Sequence, residues 1–394
     1  MDTTKIKKAK KAVEYIFNNK KAENAVKKGI ARPCEHLWLI SERGDDAQDN
    51  GFHLYKYLLE HPETNIRPAY VIDPLSSDYN KVKALGGQVI NRGSDYHYIA
   101  MYQADALIST HTYGYTPDKN IYYRLAQRGM FSPKGAIIFL SHGVTDKDMS
   151  WLYRKNFKPD MFVTSCKAEY ELVRNRYGQP ERVVKPIGLC RYDALYQAPE
   201  PKKQILIMPT WRVWLNKMTD EEFKQTTYYI YWKGLLEDNT FKDKAISQGY
   251  KIIFYLHPEI KKRIHLFEFE NIEVEDSNLQ QIMIESELLV TDYSSVFSDM
   301  AYMGRKIVFY QFDKTDYATK HYEGLITPYE KFGEIIDSTK ESAGETILRT
   351  LSSPNKADEN YIQNDYFINH DNKCCERTVD RIKLVSALKK QTTF

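Results

Sequence analysis

The stretch LLVTDYSSVFSDMAYMGRKIVFYQF, residues 288–312, contains a strand, a turn, a helix and a second strand in one run. LLVT (288–291) is apolar throughout and has the length of a strand. Polar residues follow, a helix is predicted from Val296 onward, and KIVFYQF (306–312) resumes the apolar pattern. Strands that are apolar on both faces and separated by helices are typical of a parallel sheet covered on both sides. This unit therefore predicts an α/β fold.

The same alternation continues in both directions from a polar linker at 197–204 that carries two prolines. Six apolar runs precede the linker: LWLI (37–40), AYVI (69–72), QVI (88–90), ALIS (106–109), AIIFL (136–140) and MFVT (161–164). Three more follow it before the opening stretch: ILIMP (205–209), KIIFYLHP (251–258) and IEVE (272–275). The pattern predicts two doubly wound, Rossmann-like domains. A ligand is expected in the cleft between them, because open parallel sheets bind ligands beyond the carboxyl ends of their strands.

The composition and the missing motifs of the chain argue against several classes of function. The net charge of +3 gives no global basic field for nucleic acid. Neither GxGxxG after the first strand nor GxxxxGK[ST] occurs, so nicotinamide and P-loop nucleotide signatures are missing. The 30 tyrosines suit a carbohydrate or nucleotide cleft, although compositional drift explains them equally well. Five cysteines without a CxxC pair are typical of reduced thiols inside a cell, and neither a signal peptide nor a membrane span is predicted.

Residues 1–30 form a distinct basic segment. They hold nine lysines against Asp2, Glu14 and Glu23. Ala9, Val13, Ile16 and Phe17 recur among them at helical spacing. A short basic amphipathic helix of this kind lies on an anionic membrane surface or simply leads into the first domain.

Reactive side chains follow four of the predicted strands, and their recurrence is the main functional signal. In the first domain His142 and Gly143 follow AIIFLS, with the glycine permitting close approach of a substrate. In the second domain the candidates are Thr210 and Arg212 after ILIMP, His257 after KIIFYL, and Thr291, Asp292, Ser294, Ser295 and Asp299 around the TDYSS turn. Arginine, serine hydroxyls and a helix N-terminus are suited to phosphate, and Asp299 to a ribose or polyol hydroxyl. Each residue also has a structural explanation when taken alone.

Several of these segments resemble the CDP-glycerol glycerophosphotransferase family, which includes teichoic acid primases and polymerases and related capsule enzymes. The similar segments are SHGVTDKDMSWLY, MPTWRVWL, YLHPE, TDYSSVFSDMAYMGRKIVFYQFD, KHYEG (320–324) and SERGDDAQDNGFHLYKYL (41–58). The likeness covers roughly residues 35–335, and TDYSSVFSD is its most specific part. This chain departs from several members after the HG pair, where it has Val144 to Asp148 instead of Thr-Pro and a lysine.

The resemblance implies a GT-B-like fold. Residues 31–198 would form the acceptor-side domain, and 199–394 the CDP-polyol-binding domain with C-terminal helices. It implies transfer of glycerol phosphate or ribitol phosphate from a CDP-polyol to a hydroxyl of an undecaprenyl-linked or polymeric glycan, with release of CMP. It also implies a place on the cytoplasmic face of the membrane, reached through the basic segment.

For the site residues, the resemblance makes His142 the general base and associates His257, Arg212, Ser294 and Ser295 with the donor phosphates. Two further groups are expected on the acceptor side: Asp46 and Asn50 of the early motif, and Gly143, Asp146 and Asp148 of the HG segment. The sequence D-K-D at 146–148 has the form of a metal-binding DxD. A divalent metal is therefore possible but not required, because arginine and helix dipoles can neutralise a leaving nucleotide, and no cofactor is expected.

Two alternatives stay open at this point. A GT-B sialyltransferase using CMP-sialic acid also carries HP and Ser-Ser motifs, although GDDAQDNG only loosely echoes its acceptor motif. A catalytically silent polyol-binding protein is the other, and the presence of both His142 and His257 argues against it. The chain length leans toward a single-addition enzyme, and the residues do not distinguish glycerol from ribitol.

Overall fold

The computed structural model describes residues 3–392 except 30–35, 132, 268, 276, 277, 322–325, 338 and 339. Tyr322, Glu323 and Gly324 of the KHYEG motif and Cys34 therefore lie outside the described residues. The described chain folds around two all-parallel sheets, as the alternation of apolar runs and helices predicts.

The first sheet has seven strands in the order β3-β2-β1-β4-β5-β6-β7. Its strands are β1 (Leu37–Ser41), β2 (Arg67–Ile72), β3 (Gln88–Asn91), β4 (Ala106–Ser109), β5 (Ala136–Phe139), β6 (Met161–Thr164) and β7 (Val184–Pro186). The second sheet has six strands in the order β10-β9-β8-β11-β12-β13. Its strands are β8 (Lys202–Met208), β9 (Lys251–Tyr255), β10 (Glu273–Glu275), β11 (Ser286–Thr291), β12 (Lys306–Phe309) and β13 (Glu334–Ile335). The sequence pattern missed only β7 and β13, which are edge strands too short to show a pattern.

Helices cover both faces of each sheet. In chain order they are α1 (Thr3–Lys27), α2 (Asn50–Glu60), α3 (Tyr79–Lys83), α4 (Asp95–Gln103), α5 (Lys119–Ala126), α6 (Lys167–Glu171), α7 (Tyr192–Tyr196), α8 (Asp220–Lys224), α9 (Thr227–Glu237), α10 (Asn239–Ser247), α11 (Leu279–Glu285), α12 (Phe297–Tyr302), α13 (Lys314–Lys320), α14 (Ala343–Ser352) and α15 (Cys374–Thr392). Short 3-10 turns lie at Ser150–Leu152, Val213–Leu215, Pro258–Leu266 and Tyr329–Lys331. Two π-helical turns lie at Leu172–Arg176 and Tyr361–Tyr366.

The division into domains differs from the prediction at the C-terminus. The two sheets fall on either side of the predicted boundary at 198/199, and α7 ends directly before the connecting segment 197–201. Helix α15, however, packs against β5, α2 and α7, which belong to the first domain. The last helix of the chain therefore returns to the first sheet, because its buried face, including Val379 and Ile382, completes the core there.

One apolar core runs through both domains at their interface. It joins residues of the first sheet, such as Ile40 and Ile138, to residues of the second, such as Leu206 and Leu289. The rings of Tyr192 and Tyr302 stack across the interface at 4.2 Å. Such a shared core fixes the relative position of the two sets of strand ends, which is what brings the cleft residues together.

The N-terminal helix α1 is packed on one side only. It lies along α4, where Tyr15 and Ala22 are buried. On the opposite face Val13 and Phe17 are each 66 % exposed and Ile6 is 48 % exposed. Within the described residues, no helix combines the length and the apolar character needed to cross a membrane.

Candidate active site between the two sheets

The strand ends of the two domains meet at the segments that carry His142 and Ser295. His142 follows β5 in the first domain, and Ser295 follows β11 in the second. A Cβ added at Gly143 would lie 3.0 Å from Oγ of Ser295, so the loops are in close contact. The close approach that Gly143 was predicted to permit is, in this structure, an approach of the opposite domain.

His142 is held by three neighbouring residues. Its imidazole stacks on His111 with ring centroids 4.6 Å apart and planes 17° apart. It also forms a hydrogen bond with the backbone of Thr110. The preceding residue, Ser141, has a left-handed backbone with φ of 59°, a conformation that costs a non-glycine residue energy and occurs often at functional sites. With one ring nitrogen donating to a carbonyl, a neutral imidazole keeps a lone pair on the other.

The side chain of His142 is exposed to solvent, and one face of its ring packs on His111. Desolvation lowers its pKa to about 4, with smaller contributions from the positive charges of Arg43, Arg191 and Lys147. The imidazole is therefore unprotonated at neutral pH. An anionic ligand would offset those three charges and raise the pKa, so the basicity of His142 increases when phosphate is present.

Arg43 connects the neighbouring histidine to the early motif. Its Nε donates to Nε2 of His111 at 3.2 Å, and Nδ1 of His111 lies 2.9 Å from the hydroxyl of Thr110. Because Nε2 accepts, the proton of a neutral His111 is on Nδ1. Burial, the neighbouring His142 ring and the charge of Arg43 keep the pKa of His111 well below its usual value. His111 is therefore a neutral ring that fixes the plane of His142.

Glu42 shapes the loop of the early motif. Its buried carboxylate accepts hydrogen bonds from the backbone N–H groups of Gln48, Asp49 and Phe52 at 2.8–2.9 Å. These bonds hold the loop before α2 against the end of β1. Arg43, the next residue, is thereby directed into the cleft.

The second domain contributes His257 and a set of aromatic rings. His257 caps the turn Pro258–Leu266 by accepting from the N–H of Glu259, and its ring lies 6.0 Å from that of Trp211. Desolvation lowers the pKa of His257 to about 4. The positive charges of Arg43 and Lys147, from the first domain, make smaller contributions in the same direction. His142 also contributes to this shift, which places the two predicted histidines on opposite walls of one cleft.

The TDYSS turn is built largely from buried bonds. The hydroxyl of Thr291 donates to the carbonyl of Met208 at 2.6 Å. The carboxylate of Asp292 accepts from the N–H groups of Thr210 and Tyr293. The Thr291 and Asp292 side chains are thus occupied within the domain, whereas the buried hydroxyl of Thr210 has no hydrogen-bond partner among the described residues. Ser294 and Ser295 lie at the turn, and Ser295 faces Gly143. Helix α12 begins at Phe297, one residue later than predicted.

Arg212 does not face the cleft as the sequence suggested. Its side chain is 0 % exposed, and its Nη2 donates to Asp292 and Asp313 at 2.8 and 2.9 Å. Nε donates to Asp313 as well, and Nη1 donates to the carbonyls of Thr210 and Trp211. A guanidinium has five N–H donors, so none remains for a phosphate. The predicted direct contact with phosphate is replaced by a buried ion pair beneath the turn.

Asp299 is also committed to a buried ion pair. Arg191 donates to both of its carboxylate oxygens, at 2.6 and 2.9 Å, and also to Asp49 at 2.6 Å. Asp299 is 1 % exposed, so the predicted contact with a ribose or polyol hydroxyl is not available to it. The same guanidinium donates to the carbonyl of His142 at 3.1 Å. We call Asp49, Arg191 and Asp299 the interdomain clamp.

The predicted acceptor-side residues have different surroundings. Asp46 lies by Arg43 and accepts its backbone N–H at 3.2 Å, so it stays at the cleft. Asn50 is buried and joins the carbonyl of Ser141 to the N–H of Arg191, which is a structural role. Asp146 accepts from Thr327 of the second domain at 2.9 Å and is 2 % exposed. It therefore belongs to the domain junction and is not an acceptor surface.

Asp148 faces away from Asp146. Its carboxylate accepts from Tyr153 at 2.6 Å and from Nε of Arg176 at 2.8 Å, both within the first domain. The two aspartates of the DKD sequence therefore do not converge. Across the described part of the chain, no group of three acidic, histidine or cysteine side chains is arranged to hold a metal.

Sequence reasoning missed four residues that lie beside His142 or His257: Arg43, His111, Arg191 and Trp211. His111 follows β4 just as His142 follows β5, so the signal that identified His142 applied to it too. Trp211 lies within MPTWRVWL, directly before Arg212. Arg191 has no comparable signal, because its partners are distant in sequence.

This chain is similar to a known protein family and to several characterised relatives. A family model described as CDP-Glycerol:Poly(glycerophosphate) glycerophosphotransferase matches residues 30–384. The minor teichoic acid biosynthesis protein GgaB of Bacillus subtilis (strain 168) is 30% identical over 371 residues, covering 87% of this chain and 40% of its own length. A teichoic acid ribitol-phosphate primase of Bacillus spizizenii is 26% identical over 246 residues, covering 57% of this chain and 59% of that protein. The chain thus spans less than half the length of the first of these relatives.

Solved structures support the fold. The wall teichoic acid polymerase TagF aligns over 99% of both chains with a TM-score of 0.64 and 17% identity. A putative UDP-N-acetylglucosamine 2-epimerase of Listeria monocytogenes aligns over 88% of this chain and 96% of its own, with a TM-score of 0.54 and 14% identity. The predicted two-domain GT-B-like fold is confirmed by these matches and by the two parallel sheets.

Proposed function

The chain belongs to the CDP-glycerol:poly(glycerophosphate) glycerophosphotransferase family, and from this premise we propose that it transfers a polyol phosphate from a CDP-polyol to a glycan or polymer hydroxyl. The acceptor is lipid-linked or polymeric, the product belongs to a teichoic acid or capsule-type polymer, and CMP is released. The resemblance that the sequence motifs indicated is confirmed by the match to the family model. The relatives described above give no support to the sialyltransferase alternative.

The observation that carries the proposal is the contact between the loop that carries His142 and the turn that carries Ser295. A base on one domain faces a serine-rich turn on the other, with the two loops in contact at Gly143. An alcohol is a poor nucleophile at neutral pH, and a neutral imidazole that accepts its proton accelerates attack by roughly 10²–10⁴-fold. The low pKa of His142 keeps it unprotonated before substrate binds.

The proposed reaction is an in-line displacement at the phosphorus that bears the polyol. The acceptor oxygen forms the new P–O bond, and the P–O bond to CMP breaks with its electron pair leaving on CMP. The acceptor proton passes to the free ring nitrogen of His142. Ser294, Ser295 and His257 hold the donor phosphates, while Arg212 and Asp299 act indirectly by fixing the turn. Most of the remaining rate acceleration then comes from positioning and charge neutralisation.

Purified protein incubated with CDP-glycerol or CDP-ribitol and a lipid-linked disaccharide tests the proposal. CMP release and a product heavier by one polyol phosphate are expected with one of the two donors. His142→Ala is expected to abolish transfer and to leave donor affinity within about two-fold of the wild type, because it lies on the acceptor wall. Loss of donor binding in this variant would contradict the assignment of His142 as base.

We also propose that α1 docks the enzyme on the inner, anionic face of the membrane. Its outer face combines Ile6, Val13 and Phe17 with flanking Lys10 and Lys20, while its inner face is already packed on α4. Exposed apolar residues flanked by lysines partition into the headgroup region of anionic bilayers.

Sedimentation with phosphatidylglycerol vesicles tests this docking. The double variant Val13→Ser with Phe17→Ser is expected to lower vesicle affinity about ten-fold or more, because two side chains no longer bury apolar area. Leu75→Ser is the control, since Leu75 is 94 % exposed but lies on a different segment. Equal binding by the double variant and the wild type would exclude α1 as the docking element.

A further inference from the structure

Three cationic side chains line the strand ends of the first domain beside His142, and the proposed reaction does not use them. Arg43 follows β1, Arg92 follows β3 and Lys119 begins α5. All three side chains are half-buried. We call Arg43, Arg92 and Lys119 the basic track.

The track is continuous with the catalytic histidine. His142 stacks on His111, and His111 accepts from Arg43 at 3.2 Å. Arg92 packs against the next residue, Gly44, whose φ of +94° and lack of a side chain make room for it. A Cβ at Gly44 would collide with the guanidinium of Arg92. Glycine is therefore required there by both backbone and space.

The far end of the track is Lys119. Nε of Arg92 donates to the carbonyl of Pro117 at 3.2 Å, two residues before Lys119. The nearest carboxylate in sequence, Asp118, caps the N-terminus of α5 and pairs with Lys11 at 2.8 Å. It is therefore already occupied by other partners.

The positive charges of the track are only partly compensated. Asp46 lies 3.7 Å from Arg43, and Asp45 is the other carboxylate whose charge acts on Lys119. Among the described residues, neither Arg92 nor Lys119 takes part in an ion pair with a carboxylate. Burial lowers the pKa of Lys119, and the charges of Arg43 and Arg92 lower it further. Gathering such cations without partners costs energy that a bound anion would recover.

We propose that the basic track binds a phosphodiester of the acceptor and so places the neighbouring hydroxyl beside His142. This inference rests on the proposed function, in which the donor phosphates are held by the opposite domain. Guanidinium and ammonium groups together suit a phosphate oxygen pair. The acceptor class that follows is a polyol-phosphate chain end. An uncharged glycan would leave the track unpaired.

Direct binding tests the inference without turnover. Calorimetry measures the affinity of the whole protein for a short poly(glycerol phosphate) oligomer and for CDP-glycerol. Replacing Arg92 and Lys119 together with glutamine is expected to weaken oligomer binding at least about ten-fold, because the charged hydrogen bonds of both side chains to the phosphodiester are lost. The affinity for CDP-glycerol is expected to remain within about two-fold of the wild-type value. Arg124→Gln removes an exposed charge from the same helix and serves as the matched control.

Three outcomes would overturn the inference. The first is unchanged oligomer affinity in the double variant, and the second is a parallel loss of CDP-glycerol affinity, which would assign the track to the donor. The third is an equal loss of binding to phosphatidylglycerol vesicles, which would assign it to a lipid headgroup. If the double variant does not fold, the single variants Arg92→Gln and Lys119→Gln decide the question by the same measurements.

Turnover gives a second readout. The ratio of kcat/KM for an acceptor ending in glycerol phosphate to that for an unphosphorylated glycan is expected to fall about ten-fold or more in the double variant. A ratio equal to that of the wild type contradicts the inference. If the wild-type protein transfers from neither CDP-polyol, the proposed function fails, and the calorimetric result still decides whether the track binds the oligomer.

Discussion

Replacing Asp299 with asparagine removes one carboxylate from the interdomain clamp and leaves the shape of the side chain unchanged. Asp299 is 1 % exposed, and Arg191 is 8 % exposed. The two charges are therefore largely desolvated. The two hydrogen bonds between them, at 2.6 and 2.9 Å, offset the cost of that desolvation. Breaking a buried ion pair on one side costs about 3–5 kcal/mol, because the remaining charge stays buried.

The expected effect on stability is at the lower end of that range, since Asp49 still accepts from Arg191 at 2.6 Å. A chain of 394 residues unfolds with an entropy of about 0.8 kcal/mol/K, so a loss of about 3 kcal/mol lowers Tm by about 4 °C. Differential scanning calorimetry measures the shift. Because Arg191 also donates to the carbonyl of His142, kcat should fall as well, with donor affinity nearly unchanged.

Two further variants sharpen the measurement. Asp316→Asn removes the partner of Lys320 from an exposed pair at 2.8 Å, and it should change stability by less than about 1 kcal/mol. Arg191→Met combined with Asp299→Leu replaces the charges with apolar groups and should be less destabilised than Asp299→Asn alone. The reasoning is refuted if Asp299→Asn melts within a degree of Asp316→Asn. A loss of donor affinity at unchanged Tm would instead show that Asp299 contacts the ligand, as the sequence predicted.

Three other predictions follow from the same site. Arg212→Lys should lower Tm by more than Asp299→Asn, because lysine cannot supply five donors to its partners; a drop in donor affinity at unchanged Tm would instead make Arg212 a ligand. For His142, a pKa of about 4 means that the imidazole becomes protonated only near that pH. The value of kcat/KM should therefore stay flat from neutral pH to about 5 and then decline. A decline of kcat/KM with its midpoint near pH 6.5 would contradict the desolvated environment. Gly143→Val should push the two loops apart at Ser295, lowering kcat more than donor affinity, and an unchanged kcat would show that their contact is dispensable.

Much of the fold is readable from local pattern. Of the thirteen strands in the described part of the chain, eleven begin and end near the apolar runs, because a strand buried on both faces needs apolar side chains at nearly every position. The identity of His142 as a cleft residue follows from the same logic, since a polar residue at the end of a buried strand lies at the edge where ligands bind. His111 obeys this rule as well, although no family motif marks it.

The errors have a common physical origin. Arg212 and Asp299 both stand beside motif residues, and nothing in the sequence says whether an arginine or aspartate will meet a ligand or an oppositely charged side chain. That choice depends on Asp313 and Arg191, which lie 101 and 108 positions away along the chain. The return of α15 to the first domain was missed for the same reason, because an amphipathic helix does not encode which core it completes.

The sequence by itself determines the two parallel sheets, the basic N-terminal helix and the strand-end positions of His142 and His257, because these depend on the spacing of apolar and polar residues along a short stretch. Only the tertiary structure decides which charges are neutralised inside the protein and which are left for a ligand. It buries Arg212 and Arg191 against carboxylates from distant segments, and it leaves Arg92 and Lys119 at the cleft without such partners among the described residues. The reason is that burial and charge pairing are properties of the assembled neighbourhood, and that neighbourhood exists only after both sheets have packed on their shared core.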